Sequence, residues 1–185
     1  MENKKVKGTM LINLVRMIRQ NKNLDWDKYL LPEDWEIVNS RIMLMNWYPL
    51  DLYRRCGIAA FMLIAKKDFN MVRFSGKVIG QEMFTKIYKS IIATKDPKAA
   101  IQQFIRFYGS LFNFSTLRLE SSKGKHLVIH HDYDPNDRSN VPYCYQLMGI
   151  LDALIELTGG KNPKVNLVER QWKGAQESVF DVQWQ

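Results

Sequence analysis

The strongest constraint on this chain's fold is a change of hydrophobic period at Phe114. Before it, apolar residues recur at the spacing of helix faces. After it, "FSTLRLES" sets Leu117 and Leu119 against Thr116, Arg118 and Glu120 in strict alternation, the pattern of a half-buried strand. "SKG" then supplies a turn, and "KHLVIHHDY" alternates again with Leu127 and Ile129 inward, so the pair reads as a hairpin. The polar loop "DPNDRSN" leads into "VPYCYQLMGILDALIELTGG", a helix with Tyr143, Leu147, Ile150, Leu151 and Leu154 inside and Gly159-Gly160 as its C-cap. A second hairpin follows, made of "PKVNLVERQW", the turn "KGAQE" and "SVFDVQW". Five helices followed by hairpin, helix, hairpin predict an α+β fold, with N-terminal helices, then a four-stranded antiparallel sheet and helices packed on one face. The organisation expected is an N-terminal helical segment over 1–46 and an α+β ligand-binding-like domain over 47–185, packed as one compact unit.

Within the helical part, Leu11, Leu14, Val15 and Ile18 share one face, and Thr9 is the expected N-cap. In "LLPEDWEIVNSRI", Pro32 suits a first turn, Glu33 and Asp34 favour its positive end, and Trp35, Val38 and Ile42 mark the inner face. Pro49 pre-sets φ for a third helix from about Leu50 and pushes Tyr48 out of the helical region, predicting a sharp turn at Trp47-Tyr48. That joint makes Trp47 and Tyr48 candidates for an interface or a pocket mouth. If Trp47 is core, truncating it costs about 3–5 kcal/mol. After the connector "DFNMVRFSG", "KVIGQEMFTKIYKSIIATKD" carries Ile79, Met83, Ile87 and Ile91 on one stripe and Phe84, Tyr88 and Ile92 on the next, which predicts a deeply buried helix. Asp96-Pro97 restarts the chain into a helix bearing Ile101, Phe104, Ile105, Tyr108 and Leu111.

Composition removes several functions. The chain's 185 residues suffice to bury roughly two-thirds of the unfolded surface. No apolar run reaches the roughly 18 residues that span a bilayer, and the N-terminal basic-apolar stretch lacks a small-residue cleavage site, so a cytoplasmic protein without a membrane span is expected. The net charge of +8 is scattered, with local groups only at Lys4, Lys5 and Lys7, at Arg54 and Arg55, and at Lys66 and Lys67. That distribution disfavours nucleic acid as a partner. Cys56 and Cys144 each fall inside a predicted apolar helix and read as buried free thiols.

Motifs for catalysis are missing. There is no GxSxG, no cysteine with a histidine or acidic neighbour in sequence, and no phosphate loop around Gly8, Gly76 or Gly159. On a strand, His126 and His130 point to one side with Val128 and Asp132, and His131 to the other. His126 and His130 would lie about 13 Å apart, too far to share an ion, so no metal is assigned and the role of His126, His130 and His131 stays open. No cofactor is assigned and no enzyme is expected. What the residues do supply is an aromatic interior. Phe84, Tyr88, Phe104 and Tyr108, with two phenol hydroxyls as polar handles, have the composition of a small-molecule site, and plain core is the competing reading.

The order of segments also carries a resemblance. "KGTMLINLVRMIRQN", "LLPEDW", "NWYPLDLYRR", "YKSIIATKDPKAAIQQFIRFYGSLFNFSTLRLE" and the tail from "LMGILDALIELTGG" to "FDVQW" together resemble an uncharacterised bacterial family with many myxobacterial paralogues. That family is similar to the superfamily of 4-vinyl reductase domains, heme NO-binding domains and TRAPP subunits. The resemblance implies an α+β ligand-binding fold, dimeric through its N-terminal helices and used for sensing or scaffolding. The chain departs from the 4-vinyl reductase pattern in having no cysteine in "ERQWKGAQESVFDVQW", and from the heme NO-binding pattern in having no Tyr-x-Ser-x-Arg signature. The function expected is a non-enzymatic sensor or adaptor that binds an apolar or aromatic small molecule between helices and sheet. The alternative is a TRAPP-like scaffold that docks a signalling, small-GTPase or motility partner.

Overall fold

The computed structural model describes residues 4–134, 137 and 139–185, so Pro135, Asn136 and Arg138 of the loop "DPNDRSN" lie outside the described residues. Contacts group the chain into two compact units, Met1–Phe69 with Ser110–Phe114, and Asn70–Gly109 with Ser115–Gln185.

The first unit runs β1 (Lys5–Lys7), α1 (Gly8–Gln20), α2 (Pro32–Asn39), β2 (Trp47–Pro49) and α3 (Leu50–Leu63). The face predicted for α1, Leu11 through Ile18, is buried. Thr9 is not its N-cap: the helix begins at Gly8, and the buried Thr9 hydroxyl donates to the Leu44 carbonyl at 3.1 Å. The cause is the turn that leads into the strand at Trp47, because the N–H groups of Gly8 and Thr9 donate to the carbonyls of Asn46 and Leu44 at 2.9 and 3.0 Å. Donors already satisfied in this way need no capping side chain. In α2, Asp34 accepts from the Leu31 N–H at 2.9 Å and takes both arms of the Arg55 guanidinium at 2.6 Å. Burial pushes its carboxyl upward, but the bonds from Arg55 and Leu31 hold it below the usual carboxylate range.

The expected turn at Trp47-Tyr48 is instead a strand. Lys5 faces Pro49, Val6 faces Tyr48 and Lys7 faces Trp47 in an antiparallel ribbon. The extended conformation that proline imposes on the residue before it serves a strand as well as a turn, and the partner lies some 40 residues upstream, beyond the reach of local reading. Trp47 is 40% exposed, with the Lys7 ammonium 4.1 Å from its ring centroid. It is therefore not core, and Trp47→Ala is expected to cost about 1 kcal/mol in urea denaturation, the worth of an exposed cation–π contact, not the loss of a core side chain. A cost above roughly 3 kcal/mol would place Trp47 back in the core. Tyr48 is half-buried, its hydroxyl accepting from the Met43 N–H at 2.9 Å.

The second unit holds most of α4 (Phe69–Glu82), then α5 (Pro97–Tyr108), β3 (Thr116–Lys123), β4 (His126–Asp132), α6 (Asn140–Leu157), β5 (Lys164–Glu169) and β6 (Ser178–Gln183). The segment read as a connector, "DFNMVRFSG", is mostly helical, and the helix expected to continue beyond it ends at Glu82. A π-type turn over Met83–Ile87 and a 3-10 turn over Lys89–Ile92 follow. The two apolar stripes are separated by this break: Met83, Phe84 and Ile91 are buried, whereas Ile87, Tyr88 and Ile92 are half-buried. Asp96 caps α5, its carboxylate accepting from the N–H groups of Lys98 and Ala99 at 3.3 and 3.1 Å.

The sheet is antiparallel throughout, in the order β3-β4-β6-β5, with each hairpin contributing its inner strand to the centre. Leu127 faces Val182 and Ile129 faces Phe180, and all four are buried. Helices α5 and α6 pack against this sheet. Gly159, at φ +95°, ends α6 in the left-handed conformation that glycine adopts without cost. Helices α4 and α6 cross backbone to backbone. A Cβ on Gly149 would stand 1.9 Å from the Arg73 carbonyl oxygen, and one on Gly76 would stand 2.1 Å from that of Gln146. Arg73 grips Asp152 with two bonds of 2.7 and 2.9 Å, and Lys77 reaches Glu156 at 2.7 Å, so ion pairs flank the crossing.

Candidate functional site

The histidines of β4 divide between the two sides of the sheet as their alternation predicts, with His131 buried and His126 and His130 on the opposite side. His130 stands between carboxylates, bonded through Nδ1 to Glu177 at 2.7 Å and through Nε2 to Glu120, and Arg118 joins Glu177 at 2.8 Å. Slight burial pushes the Glu177 carboxyl up, but the bonds from His130 and Arg118 bring it below the ordinary range. His126 pairs with Asp181. Among the described residues no group of three or more His, Cys, Asp or Glu is arranged to hold a metal ion.

The buried side carries the more informative arrangement. His131, Tyr108 and Ser115 are sealed from solvent. The Nε2 atom of His131 lies 3.1 Å from the Tyr108 hydroxyl and 3.1 Å from Ser115 Oγ, and the Tyr108 and Tyr143 hydroxyls are 2.9 Å apart. Ser115 donates its only proton to the Asp132 carbonyl at 2.7 Å, so its oxygen can only accept from the imidazole. This places the ring proton on Nε2. Nδ1 then faces Cys144 Sγ at 3.8 Å, and the thiol donates to Asn140 Oδ1 at 3.3 Å. Asn140 Nδ2 in turn donates to Gln171 Oε1 at 3.2 Å. The rings of Tyr133, Tyr143 and Phe180 surround the imidazole at centroid distances of 5.6, 5.6 and 6.4 Å.

Cys144, His131 and Asn140 are the residue types of a cysteine nucleophile, its base and an orienting amide, and only the fold brings them together. Their surroundings withhold the reactivity. Burial pushes the Cys144 thiol up to about 12 and the His131 imidazolium down to about 3, so neither forms its charged state near neutral pH. Burial likewise raises the Tyr108 phenol. The cluster is a buried polar centre holding α5, α6 and the sheet in one arrangement. Tyr108→Phe, which takes a partner from both His131 and Tyr143, is expected to lower the unfolding free energy by about 1–3 kcal/mol in urea titration.

Of the residues put forward for ligand binding, three come together. Phe84 meets Phe104 edge to face at 5.6 Å, and Phe104 meets Tyr108 at 6.1 Å. Tyr88 packs on Phe107 at 4.4 Å in half-buried surroundings. The Tyr108 hydroxyl, expected as a polar handle, is engaged by His131 and Tyr143. Trp47 and Tyr48 lie in the first unit, on β2. Sequence reasoning sets His131 on the side of Leu127 and Ile129 but assigns it no role. The signal for it is its parity with Leu127 and Ile129, a titratable group on an apolar face.

The fold is similar to that of solved H-NOX structures. The H-NOX protein from S. oneidensis, solved in the Fe(II)NO ligation state, is similar at a TM-score of 0.69 over 97% of this chain and 99% of its own, with 9% identity. The Fe(II) unliganded H-NOX protein from K. algicida is similar at 0.64 over 97% and 96%, with 11% identity. At these identities the likeness concerns the fold. No family model matches the chain, and no curated protein matches it in sequence.

A heme held by histidine does not fit the residues present. His131 has both ring nitrogens facing side chains inside the packed centre, His130 has both on carboxylates, and His126 pairs with Asp181 on the same side of the sheet as His130.

Proposed function

We propose that this chain is a non-enzymatic sensor or adaptor domain that binds an apolar or aromatic small molecule between its helices and sheet, without histidine-ligated heme. The observation that supports it is the end-to-end likeness to H-NOX structures, one of them solved in an Fe(II)NO ligation state, joined to a chain whose histidines are otherwise engaged. The aromatic rings of Phe84, Phe104 and Tyr108 are the wall this reading uses. The wider resemblance to 4-vinyl reductase domains and TRAPP subunits is in keeping with a ligand-binding scaffold in the cytoplasm.

Two measurements test it. Hemin titrated into purified protein is expected to give no saturable Soret shift, and a one-to-one spectrum lost in a His131→Ala, His130→Ala or His126→Ala variant would sink the heme-free reading. Native mass spectrometry with a thermal-shift screen of hydrophobic compounds is expected to find a ligand that raises the melting temperature, with the rise lost in Phe104→Ala. Silence in both would end the small-molecule reading.

One observation favours the alternative, a protein-interaction scaffold. Met71, Phe74 and Val78 form an exposed stripe on α4, with Phe74 64% exposed. A Phe74→Asp change that abolishes a stoichiometric complex recovered from native lysate, or a homodimer in sedimentation, would move the balance to that reading.

A further inference from the structure

The first unit exposes a second apolar surface whose surroundings identify its partner by chemistry. Along residues 42–47, Ile42 is buried and Leu44 half-buried, whereas Met43 at 47%, Met45 at 57% and Trp47 at 40% exposure stand outward beside the exposed Asn46. These outward side chains are held in place by their backbone. The Met43 N–H donates to Tyr48, the Leu44 carbonyl accepts from Thr9, and the Met45 carbonyl accepts from Lys7 Nζ at 2.7 Å. On the β1–β2 ribbon, Lys5, Lys7, Trp47 and Pro49 share the face opposite buried Val6, because opposed and alternate residues of paired strands point the same way.

The charge in the sequence around this face is mostly positive. From Lys4 to Leu24 the sequence has Lys4, Lys5, Lys7, Arg16, Arg19 and Lys22 and no acid, and between Ile37 and Leu50 its single charge is Arg41. The first acid beyond the ribbon, Asp51, is bound by Arg54 at 3.1 Å. Among the described residues, Lys5, Lys7 and Arg41 have no carboxylate partner.

We propose that this face docks on an anionic lipid bilayer, with Met43, Met45 and Trp47 entering the headgroup region and Lys5, Lys7 and Arg41 pairing with acidic headgroups. Indole and thioether side chains flanked by cations on long apolar stems match the boundary between headgroup and acyl chain. No helix among the described residues is long and apolar enough to cross a membrane, so the association is peripheral. Single-stranded nucleic acid suits the face less well, since it needs open aromatic platforms, and the exposed ring here has the Lys7 ammonium over it.

The test is co-sedimentation of the full chain with vesicles of phosphatidylcholine alone and with roughly 30% phosphatidylserine. Binding is expected only to the anionic vesicles, falling as salt rises from about 0.05 to about 0.3 M. Lys5→Ala and Arg41→Ala are each expected to weaken it about fivefold, and Met45→Ser about tenfold. All three positions are surface sites, so thermal unfolding, run alongside, is expected to stay where it is. Absence of binding, equal binding to neutral vesicles, or affinity unmoved by all three changes would overturn the proposal. So would tighter, salt-sensitive capture of oligo-dT that the same variants weaken.

Discussion

Gly149→Ala is expected to destabilise the protein by about 3 kcal/mol or more. Introduced elsewhere in a helix, the same substitution gains up to about 1 kcal/mol, because alanine restricts the unfolded chain and favours the helix. Here the new Cβ would stand 1.9 Å from the Arg73 carbonyl oxygen and 2.6 Å from the Lys77 nitrogen. Both are backbone atoms of α4, so no rotamer change relieves the overlap. The helices must separate, and the Arg73–Asp152 and Lys77–Glu156 pairs must stretch with them. Gly57→Ala in α3 is the internal control: nothing lies within 4 Å of the place its methyl would take, and a gain of about 0.5–1 kcal/mol is expected. Urea unfolding of both variants checks the pair. If Gly149→Ala proves neutral, α4 and α6 are not in backbone contact.

Acid is expected to unfold this protein through His131 before most carboxylates titrate. Burial lowers its folded pKa to about 3 from an ordinary value near 6.5, so the native state binds the proton later than the unfolded chain does. Its stability is fully present above pH 6.5 and falls by about 1.4 kcal/mol per unit as pH drops toward 3. Asp34 and Glu177, whose folded pKa values are held low, add losses in the same direction only at more acid pH, as those carboxylates protonate. The window between about pH 6.5 and 4.5 therefore reports on the imidazole. His131→Leu removes a buried titrating group while leaving the Tyr108–Tyr143 and Cys144–Asn140 bonds in place. The variant is expected to be less stable at pH 7.5 and to lose the difference in urea midpoint between pH 6.5 and 4.5 that the parent shows. An unchanged slope in the variant would mean that His131 is not the group responsible.

These two sites show where sequence reading stops. The alternation of "KHLVIHHDY" already set His131 inward with Leu127 and Ile129, but its partners come from α5, the residue before β3 and α6. Cys144 was legible as a buried thiol, and its neighbour His131 was not, because 13 residues separate them in the chain. The glycine crossing left no periodic trace either, since Gly76 and Gly149 each look like isolated breaks in a helical pattern. The end of α4 at Glu82 and its π-type turn likewise ran against a sequence that reads as continuous helix.

By itself the sequence determined the main helices and the four strands of the sheet and their order, because hydrophobic period, prolines and glycines act over a few residues and need no distant partner. It thereby determined the α+β fold, the four-stranded sheet and the buried state of both cysteines. The tertiary structure alone decided that Trp47-Tyr48-Pro49 is a strand paired with Lys5–Lys7 and that Tyr108, His131, Tyr143 and Cys144 form one sealed polar centre. It also decided that two helices touch through glycine. Each of these depends on residues tens of positions apart, whose proximity is set by packing the whole chain and is not encoded in any local period.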